Sequence, residues 1–292
     1  MRFEIEHHTR YDYSAQVALG PQTVRLRPRP DGAVRELSWS LSLDPSPRTR
    51  SDQLDAEGNL VTRLWFVGET RHLDVRVHIN AETSRVNPFD FIPNLGANRL
   101  PMDYAQTDVL SLAPYRDQGA PDPAVRSLMG QVQAASDGSP IGFLSALNSW
   151  IYGQIEREIR NQGAAQTPAQ TLRLGRGACR DQTMLFVAAA RAAGLAARFV
   201  SGYQDRSAMD TPRRYLHAWP EVYLPGGGWR GFDPTRGILV ADGHVPVAAS
   251  VNPEGAAPVA GSYFGSARSE MDFHLTIMAM NATPEHERCA SP

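Results

Sequence analysis

Gly175-Arg176-Gly177-Ala178-Cys179-Arg180-Asp181-Gln182-Thr183-Met184-Leu185-Phe186-Val187-Ala188-Ala189-Ala190-Arg191-Ala192-Ala193-Gly194 is the stretch whose reading sets the fold. Two glycines precede the cysteine, good helix formers dominate from Arg180 to Ala193, and Gly194 suits the left-handed conformation that ends many helices. The pattern predicts a helix that opens at Cys179. Downstream, Ala197 to Tyr203 and His217 to Leu224 read as strands, Pro225-Gly226-Gly227-Gly228 as a turn, and Trp229 to Asp233 as the returning strand. A helix followed by a small antiparallel sheet is therefore expected. Met271 to Met280 alternates again after a Gly- and Pro-rich passage, and the last dozen residues read as a loose tail.

Upstream, two helical patterns precede this segment. Val125, Leu128, Met129 and Val132 mark one; Phe143, Leu144, Leu147, Ile151, Ile155 and Ile159 mark a longer one, with Ser139-Pro140 as its start and Asn161-Gln162-Gly163 as its stop. The first hundred residues instead carry period-two segments: Phe3 to Tyr13, Thr23 to Arg27, Leu37 to Leu43, Leu60 to Phe66 and Leu73 to Ile79. Asp55-Ala56-Glu57-Gly58-Asn59 is a turn between two of them, and residues 81–120 read as loop and linker. The expected fold is α+β, with a β-rich, sandwich-like region over 1–110, a region of helices and a small sheet over 111–280, and a tail over 281–292.

Composition narrows the function. The 292 residues include 29 basic and 31 acidic side chains, a formal net charge of −2, and no dense basic run that could follow a phosphate backbone, so nucleic acid is not an expected partner. The longest apolar stretch, Met184 to Val200, is broken by Arg191 and Arg198, and no membrane span is expected. The first residues alternate and lack an apolar leader core, which points to a cytoplasmic protein. Cys179 and Cys289 are the only cysteines, too few for a disulfide framework or a thiolate metal site. His7-His8 and the His286 to Cys289 segment lack metal-ligand spacing, and Gly226-Gly227-Gly228 is not followed by the Lys-Ser/Thr of a phosphate loop. No cofactor is expected.

A thiol in the first turn of a helix lies near the positive end of the macrodipole, which favours thiolate, and the N–H groups there can meet an oxyanion. Gly177 lets the backbone approach a substrate carbonyl at that point. His217 opens one strand of the predicted hairpin and Asp233 closes the other, within side-chain reach of each other. In a Cys-His-Asp relay the imidazole takes the thiol proton and later returns it to the leaving amine, while the carboxylate fixes the tautomer. Taken singly, the three residues suit a buried inert cysteine, a core histidine and a turn aspartate better than they suit a catalyst.

Taken together they resemble a known family. Gly177-Ala178-Cys179-Arg180-Asp181, Ala197 to Tyr203, His217-Ala218-Trp219-Pro220-Glu221-Val222 and Gly228 to Thr235 are similar, in order, to the blocks of bacterial transglutaminase-like proteins. Asp242 to Gly265 is similar to the segment that follows, and the N-terminal strands to the β-rich domain that precedes the catalytic one in the bacterial branch. The resemblance implies a papain-like thiol fold with Cys179 as nucleophile, His217 as base and acid, and Asp233 as orienting carboxylate. It further implies Trp219, Trp229 and Tyr203 at the substrate cleft beside Gly177, and Asp181 and Arg198 as structural support. Three positions depart from the pattern: Gln182 replaces an aromatic residue, Ala196 a proline and Pro220 a small residue. Pro220 removes a strand donor, so a bulge or an edge position is expected beside His217.

A thioester at Cys179 can be resolved by water or by an amine, so the expected activity is amide hydrolysis or acyl transfer on a peptide or protein substrate. The chain contains no lysine, so a lysine-directed crosslinking enzyme of this sequence could not join its own copies through side-chain isopeptides. Two other readings are open: a non-catalytic papain-like scaffold, and a protease that matures one peptide of a pathway.

Overall fold

The computed structural model describes residues 1–116, 119–160, 163–205 and 214–280. The alternating N-terminal segments form β1 (Arg2–Val24), β2 (Val34–Asp44), β3 (Thr49–Leu54), β4 (Leu60–Trp65) and β5 (Glu69–Thr83). β1 organises the sheet. Its N-terminal half lies between β5 and a late strand, and its C-terminal half meets β4 and a second late strand after a register irregularity between Asp12 and Val17. An irregularity of this kind bends a long strand and increases its twist, which curls the sheet. Along β1 the odd residues Phe3, Ile5, His7 and Thr9 are buried, as a half-buried strand requires.

Five helices follow the first strands: α1 (Gln106–Arg116), α2 (Pro123–Ala134), α3 (Pro140–Gln154), α4 (Pro168–Leu174) and α5 (Cys179–Ala192). The short strands β6 (Glu156–Arg157) and β7 (Arg176–Gly177) pair in parallel between α3 and α5. Asp122, Ser139 and Thr167 each accept a first-turn backbone N–H as caps of α2, α3 and α4, and each is followed by a proline that suits the first helical position. Beyond α5 come β8 (Ala197–Gln204), β9 (His217–Leu224), β10 (Gly228–Asp233), β11 (Ile238–Leu239), β12 (His244–Ser250), β13 (Val259–Phe264) and β14 (Ser269–Met280). The second sheet has the order β11-β10-β9-β8-β12, whereas β13 and β14 return to β1 and complete a seven-stranded first sheet.

The α+β expectation is met, with the β-rich N-terminal part, the helices and the small antiparallel sheet all present. In detail, the N-terminal strands share one curled sheet rather than facing each other as two, and a boundary near residue 110 does not separate its strands, because β13 and β14 belong to it. The long helix predicted to reach Ile159 stops at Gln154: Ile155 is extended (φ −109°, ψ 110°), and the next residues pair with the strand leading to Cys179. Asn161 and Gln162, the predicted stop, lie outside the described residues, as do the tail and Cys289. α1 occupies a stretch read as loop and linker, and α4 one for which no element was expected; α4 spans only seven residues and α1 contains Pro114, so neither carries a strong periodic signal. No described helix is long and apolar enough to cross a membrane.

Two apolar clusters hold the elements together. Phe143, Leu147 and Ile151 of α3 pack with Leu185 and Phe186 of α5 and with Val222 and Phe232 of the second sheet. Phe3, Ile5, Val75 and Ile79 of the first sheet pack with Tyr203, Val245 and Val247 of β8 and β12. β8 and β12 are thus buried throughout their lengths, with no polar face to water. The Asp55–Asn59 turn adds a polar tie: the Asn59 side-chain amide donates to the Ala249 carbonyl at 2.9 Å and accepts the Ala249 N–H at 2.8 Å, pairing with β12 as a strand would.

Candidate active site

Cys179 is the first residue of α5, and the chain entering it is fixed from below. Ala178 cannot cap the helix with its side chain. Asp181 does the work instead: its carboxylate accepts the N–H groups of Ala178 and Gln166, each at 2.7 Å, and pairs with Arg160 at 2.7 Å while wholly buried. Gly177 is required here because a Cβ at that position would lie 2.8 Å from the Asp181 Cβ. Gly177 and Asp181 therefore fix the chain at the start of α5 that carries Cys179.

His217 is the first residue of β9 and faces Gly202 of β8; Asp233 is the last residue of β10. The β9–β10 pairing runs from Leu224↔Gly228 to Glu221↔Gly231, after which β10 turns to β11 through Phe232↔Leu239 and Asp233↔Ile238. That divergence leaves Asp233 diagonal to His217, and His217 Nε2 meets Asp233 Oδ2 at 2.9 Å with both side chains fully buried. Burial alone would depress the imidazole, but the charge and hydrogen bond of Asp233, joined by Cys179, raise its pKa to about 9. Burial likewise opposes ionisation of Asp233, and the attraction and hydrogen bond of His217 overcome it, with His244 adding to them, holding the carboxyl well below the usual carboxylate range. With Asp233 ionised, Nε2 carries the proton it donates, and Nδ1 is the atom left for the thiol. Nδ1 makes no hydrogen bond of regular geometry, while Cys179 acts on the same ring.

Cys179 and His217 line one cavity of about 380 Å³ between the two sheets. The residues expected at its walls are placed elsewhere. Trp219 is fully buried behind the histidines, packed with Val200, Val240 and Ala249, its ring 5.2 Å from that of His244. Trp229 lies under the Arg198 guanidinium at 4.0 Å, beside Tyr115 and Tyr223. Tyr203 is buried in the core and its hydroxyl meets His7 Nδ1 at 3.0 Å. None of the three, nor Gly177, borders the cavity. The alternation of a strand explains Trp219: it shares the His217 face two residues on, deeper in the sheet. Arg198 pairs with Glu221 across β8 and β9 at 2.6 Å.

The departures from the family pattern are accommodated. Pro220 produces no bulge and no edge, since β8 and β9 pair without a register shift and β9 lies inside the sheet. It sits one residue past the last β9–β10 pair, where a strand donor is dispensable. Gln182 is buried and donates to the Gly177 carbonyl at 3.3 Å, and the Ala196 N–H donates to the Tyr104 hydroxyl at 2.8 Å. Two groups of residues carried no place at the site in the sequence reading. His244 and Gln204 contact Asp233, and His7, Thr9, Tyr11, Met271 and Phe273 line the cavity. For His244 the one available signal was its place within the Asp242 to Gly265 segment.

Comparison with known proteins agrees with this fold. Residues 3–82 match the bacterial transglutaminase-like N-terminal region, and residues 128–234 match the transglutaminase-like superfamily. An uncharacterised protein of Mycobacterium tuberculosis is 25% identical over 300 residues, covering 98% of this chain and 95% of its own, and one of Mycobacterium leprae is 23% identical over 286 residues, covering 94% and 98%. The crystal structure of a candidate cysteine protease from Cytophaga hutchinsonii superposes with a TM-score of 0.71 at 21% identity, covering 97% of this chain and 93% of the other.

Proposed function

The chain is a transglutaminase-like protein, and from that premise we propose that it is a cysteine-dependent amide hydrolase or acyltransferase that acts on peptide or isopeptide-like amides through Cys179, His217 and Asp233. The observation that carries this reading is the imidazole of His217, held at Nε2 by Asp233 and lining one cavity with Cys179. A histidine raised to about 9 stays protonated at neutral pH and stabilises a thiolate beside it.

The thiolate attacks the amide carbonyl carbon, and the carbonyl electron pair moves to oxygen, where first-turn N–H groups of α5 meet the developing charge. As the tetrahedral intermediate collapses, the imidazolium gives its proton to the departing amine and the acyl group remains on sulfur as a thioester. His217, now neutral, takes a proton from water or from an incoming amine, which attacks the thioester and releases Cys179. Asp233 keeps the Nε2 proton in place throughout and so presents Nδ1 to the reacting atoms.

The test is the pH dependence of Cys179 alkylation, read by peptide mass spectrometry with Cys289 as internal reference, in the native protein and in His217→Ala. Selective labelling of Cys179 well below pH 8 that disappears in His217→Ala is expected. Equal titration of both thiols near about 8.5 would overturn the reading. Once a substrate amide is found, Cys179→Ala should abolish turnover, and a primary amine added to the assay separates transfer from hydrolysis.

A further inference from the structure

The cavity has one wall that the catalytic apparatus does not account for. In the register of β1 and β14, Thr9 faces Phe273 and Tyr11 faces Met271, so the four side chains share one face of the first sheet. All four line the cavity that holds Cys179 and His217. We propose that this face of the first sheet is the specificity wall of the cleft, and that it receives an uncharged apolar side chain, up to aromatic size, beside the amide that Cys179 attacks. The inference rests on Cys179 being the nucleophile.

The chemistry of the wall selects against charge. Its imidazole, His7, is lowered to about 4 by burial and then by His8, so it is neutral at neutral pH. Both its ring nitrogens are already engaged, Nδ1 with the Tyr203 hydroxyl at 3.0 Å and Nε2 with Thr9 Oγ1 at 3.2 Å. Tyr11 is pushed up to about 12 by burial, with a smaller contribution from Tyr13, so its phenol also stays uncharged. Across the cavity, beside the sulfur, Phe199, Ala218 and Ala256 form an apolar cluster against which Cys179 packs. The charged residues of the lining lie on the remaining side: Arg160 pairs with Asp181, Arg180 donates to the carbonyls of Arg160 and Gly163, and Arg157 and Glu158 carry opposite charges. A charged substrate side chain entering between β1, β14 and Phe199 would lose water against these uncharged groups, whereas an apolar one loses only unfavourable hydration. The volume, about 380 Å³, falls at the small end of the range for side-chain and small-ligand pockets.

A series of chloroacetamides tests this without a known substrate. Chloroacetamide itself reports the nucleophile; its N-benzyl, N-carboxymethyl and N-(2-aminoethyl) derivatives add an aromatic, an anionic and a cationic arm. Rates at Cys179 are divided by rates at Cys289 to remove intrinsic reactivity. The N-benzyl reagent should react about tenfold or more faster than the parent, and neither charged reagent should gain. Tyr11→Ala and Phe273→Ala, at half-buried positions, should each lower the benzyl advantage, and Met271→Glu should lower it further while raising the rate of the aminoethyl reagent. That gain cannot arise from misfolding. Equal rates for all four reagents in a native protein whose Cys179 reacts with the parent, or a benzyl advantage untouched in all three variants, would overturn the wall. Failure of the parent reagent to select Cys179 over Cys289 would overturn the nucleophile and the wall together.

Discussion

His244 Nε2 lies 3.3 Å from Asp233 Oδ2, the oxygen that also receives His217 Nε2 at 2.9 Å. Gln204 Nε2 reaches the same oxygen and the His244 ring as well. Three nitrogen groups on one buried oxygen fix the plane of the carboxylate, and with it the direction from which Asp233 supports the imidazolium. Burial lowers the His244 pKa in spite of its contact with Asp233, which favours the neutral ring. His244→Ala should let Asp233 turn and move the His217 pKa down from about 9 toward its ordinary value. A shift of one unit corresponds to a loss of about tenfold in imidazolium support, visible as slower Cys179 labelling near pH 6 to 7. His244→Asn, which keeps a donor, should recover part of it. A role confined to packing would lower the melting temperature of both variants and leave the pH profile where it was.

The pair His217–Asp233 also makes stability depend on pH in a stated direction. His217 binds its proton more tightly in the folded state, about 9 against 6.5, so its contribution is complete below pH 6.5 and is lost as the pH rises through about 9. Asp233 runs the other way: its folded pKa is depressed, so its contribution is present above the ordinary value of 3.8 and is lost as the pH falls through the depressed one. Urea unfolding followed by tryptophan fluorescence at pH 6, 7.5 and 9 should show the gap in midpoint between the native protein and His217→Ala narrowing as the pH rises. A gap of constant size would mean that the folded histidine is not charged at neutral pH.

The three residues of the proposed triad were legible because each stands at a boundary that local sequence marks. Gly177 and the helix formers after Arg180 place Cys179, while the Pro225 to Gly228 turn between two apolar strands brings the ends carrying His217 and Asp233 together. The cleft wall was not legible, because Tyr11 and Phe273 become neighbours only through a strand pairing that closes about 260 residues of chain. Alternation announced both strands and gave neither partner. Trp219 and Trp229 were misplaced for a related reason: a large aromatic next to a catalytic block suits a cleft wall and a core equally well, and only the second layer, here β12 and the Arg198 guanidinium, decides. Helix α3 was read one turn too long because Ile155 and Ile159 continue its apolar spacing, whereas pairing of Glu156 and Arg157 with the strand before Cys179 takes precedence.

Arg198 and Glu221 face each other across β8 and β9, 2.6 Å apart and nearly excluded from water, with the Trp229 ring over the guanidinium. Removing the acid alone leaves a buried cation, with the Arg29 charge close enough to interact with it. Glu221→Ala should therefore cost about 3 kcal/mol or more of folding stability, measured by urea unfolding. Replacing both partners with methionine should cost clearly less than the single change, since a well-packed apolar pair avoids the desolvation that the ion pair carries. Equal losses in the single and double variants would show that the pair's packing, and not its charge, is what the sheet depends on.

Gly202 stands opposite His217 in the β8–β9 pairing. A Cβ there would overlap the Val245 carbonyl oxygen and the Trp219 ring and lie 2.9 Å from the Pro246 Cα, and two of those three neighbours are backbone that cannot rotate away. Gly202→Ala is expected to cost about 1–3 kcal/mol through this overpacking, and more where β12 cannot retreat from the first sheet. The same displacement pushes on the strand pair that carries His217, so Cys179 labelling at pH 6 to 7 should fall in the fraction of protein that remains folded. Adding Trp219→Phe removes the ring atom nearest the new methyl but leaves the Val245 carbonyl in place; it should restore only part of the labelling rate. Complete recovery would assign the strain to the indole alone, and wild-type labelling in Gly202→Ala would show that β9 holds His217 independently of its neighbour.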